Sequence, residues 1–336
     1  MAVYTQVSHD EAARLVTRLG LGELTTLAGI EGGIENTNYF VDTTRGRYVL
    51  TLFERLTAEQ LPFYLLLMKH LAERGLPVPG PKVDAGGHVL HLVAGKPAAL
   101  VDRLQGRHHL APDAADCASV GATLAHMHEA GRDYAPAQPN LRGLAWWIET
   151  VPVVRPFLDA GQRALIDDEL AFQQQVAASS AYKALPSGAI HADLFRDNVM
   201  FDRDPASDAD ADGDAIVRLS GLLDFYFAAT DTFVFDIAVC LNDWCIDLES
   251  GRMAEERAAA LVAGYDQVRP LTSAELRLMP AMLRAAAFRF WVSRLWDLHL
   301  PRDAHVLTAH DPSHFERVLR ARIEMPWHPN LQRSVA

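Results

Sequence analysis

Residues 190–201 combine imidazole, carboxylate and amide side chains at a spacing that suits phosphoryl transfer. The segment contains His191-x-Asp193-x-x-x-x-Asn198, and another acidic residue, Asp224, follows a later apolar run. Phosphoryl transfer needs a carboxylate that orients an attacking hydroxyl group and accepts its proton, and oxygen ligands that hold Mg²⁺ against the nucleotide phosphates. Asp193 fits the first role. Asn198 and Asp224 fit the second role if adjacent strands bring them together, so the sequence predicts a phosphotransferase.

The part of the chain that carries this motif has mainly helical patterns. Apolar residues at helical spacing predict helices over 114–130, 155–183, 254–268 and 273–299. Two short apolar runs, 188–202 and 217–226, lie between these helices and contain the motif. The C-terminal part, residues 104–336, is therefore predicted to be a mainly helical lobe.

The first hundred residues instead predict strands and turns around one helix. Short runs rich in β-branched, aromatic and apolar residues indicate strands over 24–29, 38–42, 48–54, 88–92 and 98–103. Helical spacing over 57–74 predicts one helix that packs on them. Residues 1–103 are thus expected to form an antiparallel sheet with one helix, which makes the whole chain an α+β protein of two lobes.

The composition disfavours several kinds of partner. The chain has 336 residues, and its 31 Lys and Arg against 43 Asp and Glu leave a net charge of −12, which disfavours nucleic acid and anionic membrane surfaces as partners. No apolar run approaches the roughly 20 residues that cross a bilayer, and the first residues lack the features of a secretory signal. The three cysteines show no metal-like spacing, so we expect free buried thiols and a cytoplasmic protein. The sequence does not indicate an oligomeric state.

The chain resembles the aminoglycoside phosphotransferase and choline kinase superfamily, which shares the protein-kinase-like fold. His-Ala-Asp and Asp-Phe-Tyr stand where the protein-kinase template has His-Arg-Asp and Asp-Phe-Gly. Within the superfamily the resemblance is strongest to the bacterial homoserine kinases of this fold. It extends over nearly the whole chain, through the segments 33–39, 48–54, 141–147, 191–198, 242–244 and 289–294.

The resemblance implies a set of site residues, with ATP and Mg²⁺ as cofactors. Asp193 would be the catalytic base, accompanied in its loop by His191 and Arg196, and Asn198 and Asp224 would ligate Mg²⁺. The first lobe would bind the nucleotide. Its phosphate-covering loop and interlobe strand would supply Gly32, Gly33, Asn36, Asn38, Val101 and Leu104.

One departure from the family pattern concerns the phosphate-binding lysine. Thr51 stands where the third strand usually carries this lysine, and the position aligned with its glutamate partner falls near Tyr64. The phosphate charge would then fall to Mg²⁺, to the amides of the loop, and to Lys96 or Arg196.

The substrate pocket is expected among aromatic and charged residues of the second lobe. Arg294 could hold a substrate carboxylate by a bidentate contact, and an amino group would need an acidic partner. The candidates are Asp243, Asp247 and Asp297, with Trp244, Trp291 and Trp296 nearby in the sequence; plain helix packing explains the same residues equally well.

Two further polar residues are interpreted as structural. Asp236 could anchor the start of a helix near the catalytic loop, and His128 is expected in the core or a cleft wall.

The resemblance implies that homoserine is the small-molecule substrate. Two alternatives remain open: a kinase for another small amino alcohol, of the aminoglycoside or choline type, and a non-catalytic nucleotide-binding module. A protein kinase is disfavoured because no Ala-Pro-Glu segment follows Asp224.

Overall fold

The structure, a computed structural model, describes residues 5–30, 36–203, 217–300 and 310–331. Its contacts divide the chain into two compact units. The first unit holds the described residues up to Gly106 together with Ser220–Leu223, and the second holds the rest of the described chain. The short return of residues 220–223 to the first unit was not predicted, because it depends on contacts distant in sequence.

The first unit is built on a five-stranded antiparallel sheet, as the sequence predicted. Its strands lie in the order β1-β2-β3-β5-β4. They are β1 (Leu24–Gly29), β2 (Asn36–Thr43), β3 (Gly46–Phe53), β4 (His91–Val93) and β5 (Lys96–Asp102). In this register Thr51 of β3 lies between Asn38 of β2 and Ala99 of β5.

Two helices accompany the sheet, of which the sequence analysis predicted one. Helix α2 (Leu61–Glu73) confirms the prediction over 57–74. Helix α1 (His9–Arg18) was missed, although a capping box between Ser8 and Glu11 marks its start. Its apolar side joins the same hydrophobic cluster as the core residues of β2, β3 and β5. The signal was therefore present in the sequence.

The C-terminal part of the chain is mainly helical, which confirms the predicted fold class. The helices are α3 (Ala114–Ala130), α4 (Leu144–Val154), α5 (Ala160–Ala178), α6 (Ser180–Lys183), α7 (Phe233–Trp244), α8 (Glu255–Val268), α9 (Ser273–His299) and α10 (Ser313–Glu324). The helical pattern predicted over 155–183 is confirmed, and the structure divides that span into a 3-10 turn, α5 and α6. No helix within the described ranges has the length and apolarity needed to cross a membrane.

Four short strands pair in this part of the chain. Strand β6 (Ser187–Ile190) pairs antiparallel with β9 (Ala229–Thr232), and β7 (Val199–Arg203) pairs with β8 (Val217–Leu222). The second pair matters for the site, because β7 begins directly after Asn198 and β8 ends shortly before Asp224. The adjacent strands expected from the motif are therefore present.

Helices α3 and α8 pack backbone against backbone through two glycines. A Cβ atom on Gly121 would lie 2.0 Å from the carbonyl oxygen of Leu261, and one on Gly264 would lie 2.2 Å from that of Ala118. This close approach places His128 of α3 within 2.7 Å of the hydroxyl group of Tyr265 on α8. Both glycines thus allow the contact between His128 and Tyr265.

We expect Gly121→Ala to lower the free energy of unfolding by about 1–3 kcal/mol, since the added methyl group meets a backbone oxygen that cannot move aside alone. Gly161→Ala is the matched control: it lies exposed in the first turn of α5, and the nearest atom to its Cβ would be 3.4 Å away. The control should be neutral or slightly stabilising. Urea titrations of both variants measure the difference, and equal midpoints would contradict the interpretation.

Candidate active site

The catalytic loop begins where β6 ends, and one buried carboxylate holds its backbone. Asp236 of α7 accepts the N–H of His191 at 2.8 Å and the N–H of Ala192 at 2.7 Å. Ala192 adopts a left-handed conformation with φ of +63°, which a non-glycine residue keeps only where its surroundings enforce it. The two hydrogen bonds supply that enforcement and fix the backbone at the residue before Asp193.

Asp236 is in turn held by a histidine. The Nε2 atom of His128 lies 3.0 Å from its carboxylate, and neither side chain is exposed to solvent. Burial raises the pKa of Asp236, but the hydrogen bond and charge of His128, together with contacts from His191, outweigh it and lower the pKa overall. Burial also lowers the pKa of His128. Asp236 thus joins His128 to the backbone of the catalytic loop in one buried hydrogen-bonded network, and its place in the first turn of α7 agrees with the predicted structural role.

Asp193 faces an arginine from the long helix α9. The Nη1 atom of Arg289 donates to Asp193 Oδ1 at 3.3 Å, and the side chains are 2% and 15% exposed, respectively. The guanidinium group lies over the rings of Phe290, at 3.8 Å, and Phe227, at 5.0 Å. Arg289 is not among the site residues predicted from the sequence, although it begins the segment 289–294 that carries the resemblance and stands within the apolar run of α9.

The environment of Asp193 makes it a stronger base than an ordinary aspartate. Burial raises the pKa of Asp193 to about 7; the charge of Arg289 opposes this shift, and the charges of Asp224 and Asp197 add to it. A general base works best when its pKa lies near the working pH. Asp193 therefore has the property that proton acceptance from a hydroxyl group requires.

The residues predicted to bind Mg²⁺ lie on the paired strands β7 and β8 or next to them. The amide nitrogen of Asn198 donates to the carbonyl oxygen of Asp193 at 2.8 Å, which leaves the amide oxygen as an acceptor. Asp224 adopts a left-handed conformation with φ of +58°, and its charge acts on Asp193. Mg²⁺ prefers oxygen ligands and needs only one or two from the protein when it binds nucleotide phosphates. An amide oxygen and a carboxylate fit this requirement.

The described residues contain no cluster of three or more His, Cys, Asp or Glu side chains suited to a metal ion.

Three residues predicted for catalysis or substrate binding make contacts that brace the catalytic loop. Arg196 donates to Asp243 through Nε at 3.0 Å and Nη2 at 3.1 Å, and through Nη1 to the carbonyl oxygen of Leu110. Asp243 also accepts the backbone N–H of Arg196. The buried indole of Trp244 donates to the carbonyl oxygen of Leu194 at 2.9 Å. These contacts occupy Arg196 and Asp243, so in this structure they position the loop.

His191 also supports the loop. Its ring is buried beside that of Phe225, and its Nδ1 atom accepts the backbone N–H of Asp193 at 3.3 Å. Arg294, predicted to bind a carboxylate, donates from Nη1 to the carbonyl oxygen of Asp311 at 3.0 Å and lies over the ring of Phe315.

In the first unit, the structure describes four of the six predicted nucleotide residues; Gly32 and Gly33 lie outside the described residues. Asn36 and Asn38 begin β2, where Asn38 accepts a hydrogen bond from Thr51 at 2.7 Å. Val101 is buried in β5. Leu104 follows this strand, and its backbone N–H and C=O make no hydrogen bond to any described residue.

Lys96 does not stand in for a lysine at Thr51. Its ammonium group pairs with Glu54 at 3.1 Å, and Glu54 also accepts a hydrogen bond from Thr37. Thr37 precedes Asn38, the partner of Thr51, and successive strand residues point to opposite faces, so Glu54 is bonded on the face opposite Thr51. Lys96 is thus engaged on the other side of the sheet.

A buried, arginine-paired aspartate in a rigid loop, followed by an amide and a second carboxylate on paired strands, defines a phosphotransferase site. The model of the phosphotransferase enzyme family (APH) matches residues 26–271, and the chain belongs to this family.

Curated relatives match over nearly the full length. A homoserine kinase of Polaromonas naphthalenivorans is 62% identical over 97% of this chain and 99% of its own. A homoserine kinase of Paraburkholderia xenovorans is 53% identical over 96% of both chains.

Solved structures share the fold at low identity. An amicoumacin kinase in complex with AMP-PNP, Ca²⁺ and Ami has a TM-score of 0.61 at 18% identity, covering 89% of this chain and 87% of its own. A spectinomycin phosphotransferase in complex with ADP and spectinomycin has a TM-score of 0.62 at 12% identity, covering 95% and 98%. The protein-kinase-like fold is thereby confirmed.

We expect Asp236→Asn to lower the free energy of unfolding by about 3–5 kcal/mol, because it breaks a buried charged network and turns an amide donor towards backbone donors. The activity should fall with it, since the loop backbone loses its acceptors. The matched control is Asp168→Asn, which removes the same charge from an exposed position of α5. Thermal melts and reaction rates are measured for both variants. Equal melting temperatures and equal rates for Asp236→Asn and Asp168→Asn would contradict this role of Asp236.

The raised pKa of Asp193 predicts a pH dependence. The base acts as a carboxylate, so the rate should be low under acidic conditions and rise with pH through about 7. Measuring kcat/KM for ADP release with a hydroxyl substrate from about pH 5 to pH 9 tests this expectation. An ascending limb near the ordinary aspartate pKa of about 4 would contradict it.

Proposed function

We propose that this protein is an ATP-dependent homoserine kinase, which transfers the γ-phosphoryl group of ATP to the side-chain hydroxyl of L-homoserine in threonine biosynthesis. The observation that carries the reaction type is Asp193, a buried base held by Arg289 and by a fixed backbone. The substrate follows from the homoserine kinases that match nearly the whole chain. An acceptor kinase of the aminoglycoside or choline type is not favoured.

In this reaction Asp193 orients the hydroxyl group and accepts its proton. Asn198 and Asp224 would hold Mg²⁺, which would neutralise part of the phosphate charge of ATP, the donor of the phosphoryl group. His191, Arg196 and the residues behind them keep the loop in place. Catalysis of this kind rests on positioning, so the rigidity of the loop contributes directly to the rate.

Nucleotide binding is assigned to the first lobe, residues 1–103, and catalysis with substrate binding to residues 104–336. Gly32, Gly33, Asn36 and Asn38 would cover the phosphates. Val101 and Leu104 would meet the adenine. The backbone N–H and C=O of Leu104, which bond to no described residue, support this role because they match the edge of a base. The loss of a lysine at Thr51 leaves the phosphate charge to Mg²⁺ and loop amides.

We place the protein in the cytoplasm. Its cysteines, Cys117, Cys240 and Cys245, are free and buried, which is typical of proteins from reducing compartments.

We expect Asp193→Asn to reduce kcat for homoserine by about 10²–10⁴-fold, because the amide cannot accept the hydroxyl proton. ADP release is measured with homoserine, serine, threonine, choline and kanamycin, with Asp168→Asn as the control. Homoserine should give the highest kcat/KM. Absence of homoserine-stimulated ADP release would reject the proposed function, and a near wild-type rate in the Asp193 variant would reject the base.

A further inference from the structure

Arg289 uses only part of its hydrogen-bonding capacity. Among the described residues its one hydrogen bond runs from Nη1 to Asp193, and its Nε atom is enclosed without a partner. The Nε and Nη2 atoms form an edge of the guanidinium group that can bind a carboxylate through two parallel hydrogen bonds. A buried arginine beside the base therefore presents an unoccupied pair of donors.

The surroundings restrict what can reach this edge. The rings of Phe290 and Phe227 lie against the guanidinium group. This ring packing favours a ligand that approaches in the plane of the group, along the edge itself. Within the described ranges, Asp193 is the only carboxylate at ion-pair distance from Arg289. The fold thus pairs the Nη1 side of the guanidinium group with Asp193 and leaves the Nε/Nη2 edge without a described partner.

A second donor without a partner lies on the same helix. Ser293 and Trp296 follow Arg289 by four and seven residues, which places all three on one face of α9. The indole N–H of Trp296 is buried and has no hydrogen-bond partner in the described structure. Donors without partners on one face of this helix favour a ligand that brings acceptor oxygens, and an oxyanion fits this requirement.

We propose that the Nε/Nη2 edge of Arg289 binds the carboxylate of the hydroxy amino acid whose hydroxyl group faces Asp193. This inference rests on the proposed function and names the residue that selects the substrate. Homoserine separates its hydroxyl oxygen from its carboxylate carbon by a short, three-carbon chain. One guanidinium group can therefore hold the base with Nη1 and the carboxylate with its other edge, which sets the hydroxyl group against Asp193. Arg294, the candidate from the sequence, is instead bonded to a backbone oxygen.

A phosphate of the nucleotide is the other source of an oxyanion, and the experiment distinguishes the two. Wild type, Arg289→Lys and the control Arg277→Lys, an exposed position of the same helix, are assayed with homoserine and with 3-aminopropan-1-ol, which lacks only the carboxylate. The wild type should prefer homoserine in kcat/KM by at least about 100-fold, because an unmet bidentate contact leaves the site's donors unpaired. Arg289→Lys should reduce this preference about tenfold or more, and the control should retain it.

Three outcomes overturn the proposal: equal losses for both substrates in Arg289→Lys, a rise in KM for MgATP with the preference intact, or a wild type without the preference. If Arg289→Lys does not fold, the proposal is tested by the binding of substrate analogues to the wild-type protein. Thermal shifts should then show binding of 2-aminobutyrate, which keeps the carboxylate, and none of propylamine; the opposite result overturns the proposal.

A second comparison distinguishes failure of the proposed function from failure of the carboxylate contact. If the wild type does not phosphorylate homoserine, the same comparison is made with serine and ethanolamine. A preference for serine that Arg289→Lys removes supports the carboxylate contact although homoserine is not the substrate. Phosphorylation of the decarboxylated partners alone overturns both.

Discussion

The rest of the site depends on one fully buried carboxylate. A charge without solvent must have its hydrogen bonds supplied by the protein, and Asp236 obtains them from two successive backbone N–H groups and from His128. This requirement fixes α7, which carries Asp236, against α3, which carries His128. It also holds Ala192 in a conformation that the residue would otherwise leave. The position of Asp193 is therefore a consequence of core packing as much as of its own loop.

The basicity of Asp193 results from two opposing effects. Burial raises its pKa, and Arg289 moderates the increase. The arginine is held by aromatic rings, and Phe290 in turn packs on Phe195 of the loop at 4.4 Å. Helix α9 thus contributes both the counter-charge and part of the loop's support. A shift of this helix would change the pKa of Asp193 and its geometry together.

The sequence was sufficient for the catalytic motif and the sheet, because both depend on local spacing. Asp193, Asn198 and Asp224 stand at fixed intervals, and alternation marks the strands. For helix α7 the sequence indicated only a helix start near Asp236 and not its extent, since all of its residues are buried and it shows no polar face. The pairing of Arg196 with Asp243 and of Arg289 with Asp193 joins residues distant in the chain, which a single sequence does not reveal. Local spacing therefore predicts the motif and the strands, whereas the ion pairs around the motif depend on tertiary contacts.

Asp193 and Arg289 lie 96 positions apart in the sequence, which matters during synthesis. At about 5–20 residues per second, a ribosome adds the arginine roughly 5–20 s after the aspartate. Throughout that interval the emerging polypeptide carries its base without the cation that moderates it. The catalytic centre is therefore among the last parts of the second unit to mature, and chains released before α9 is translated cannot complete it.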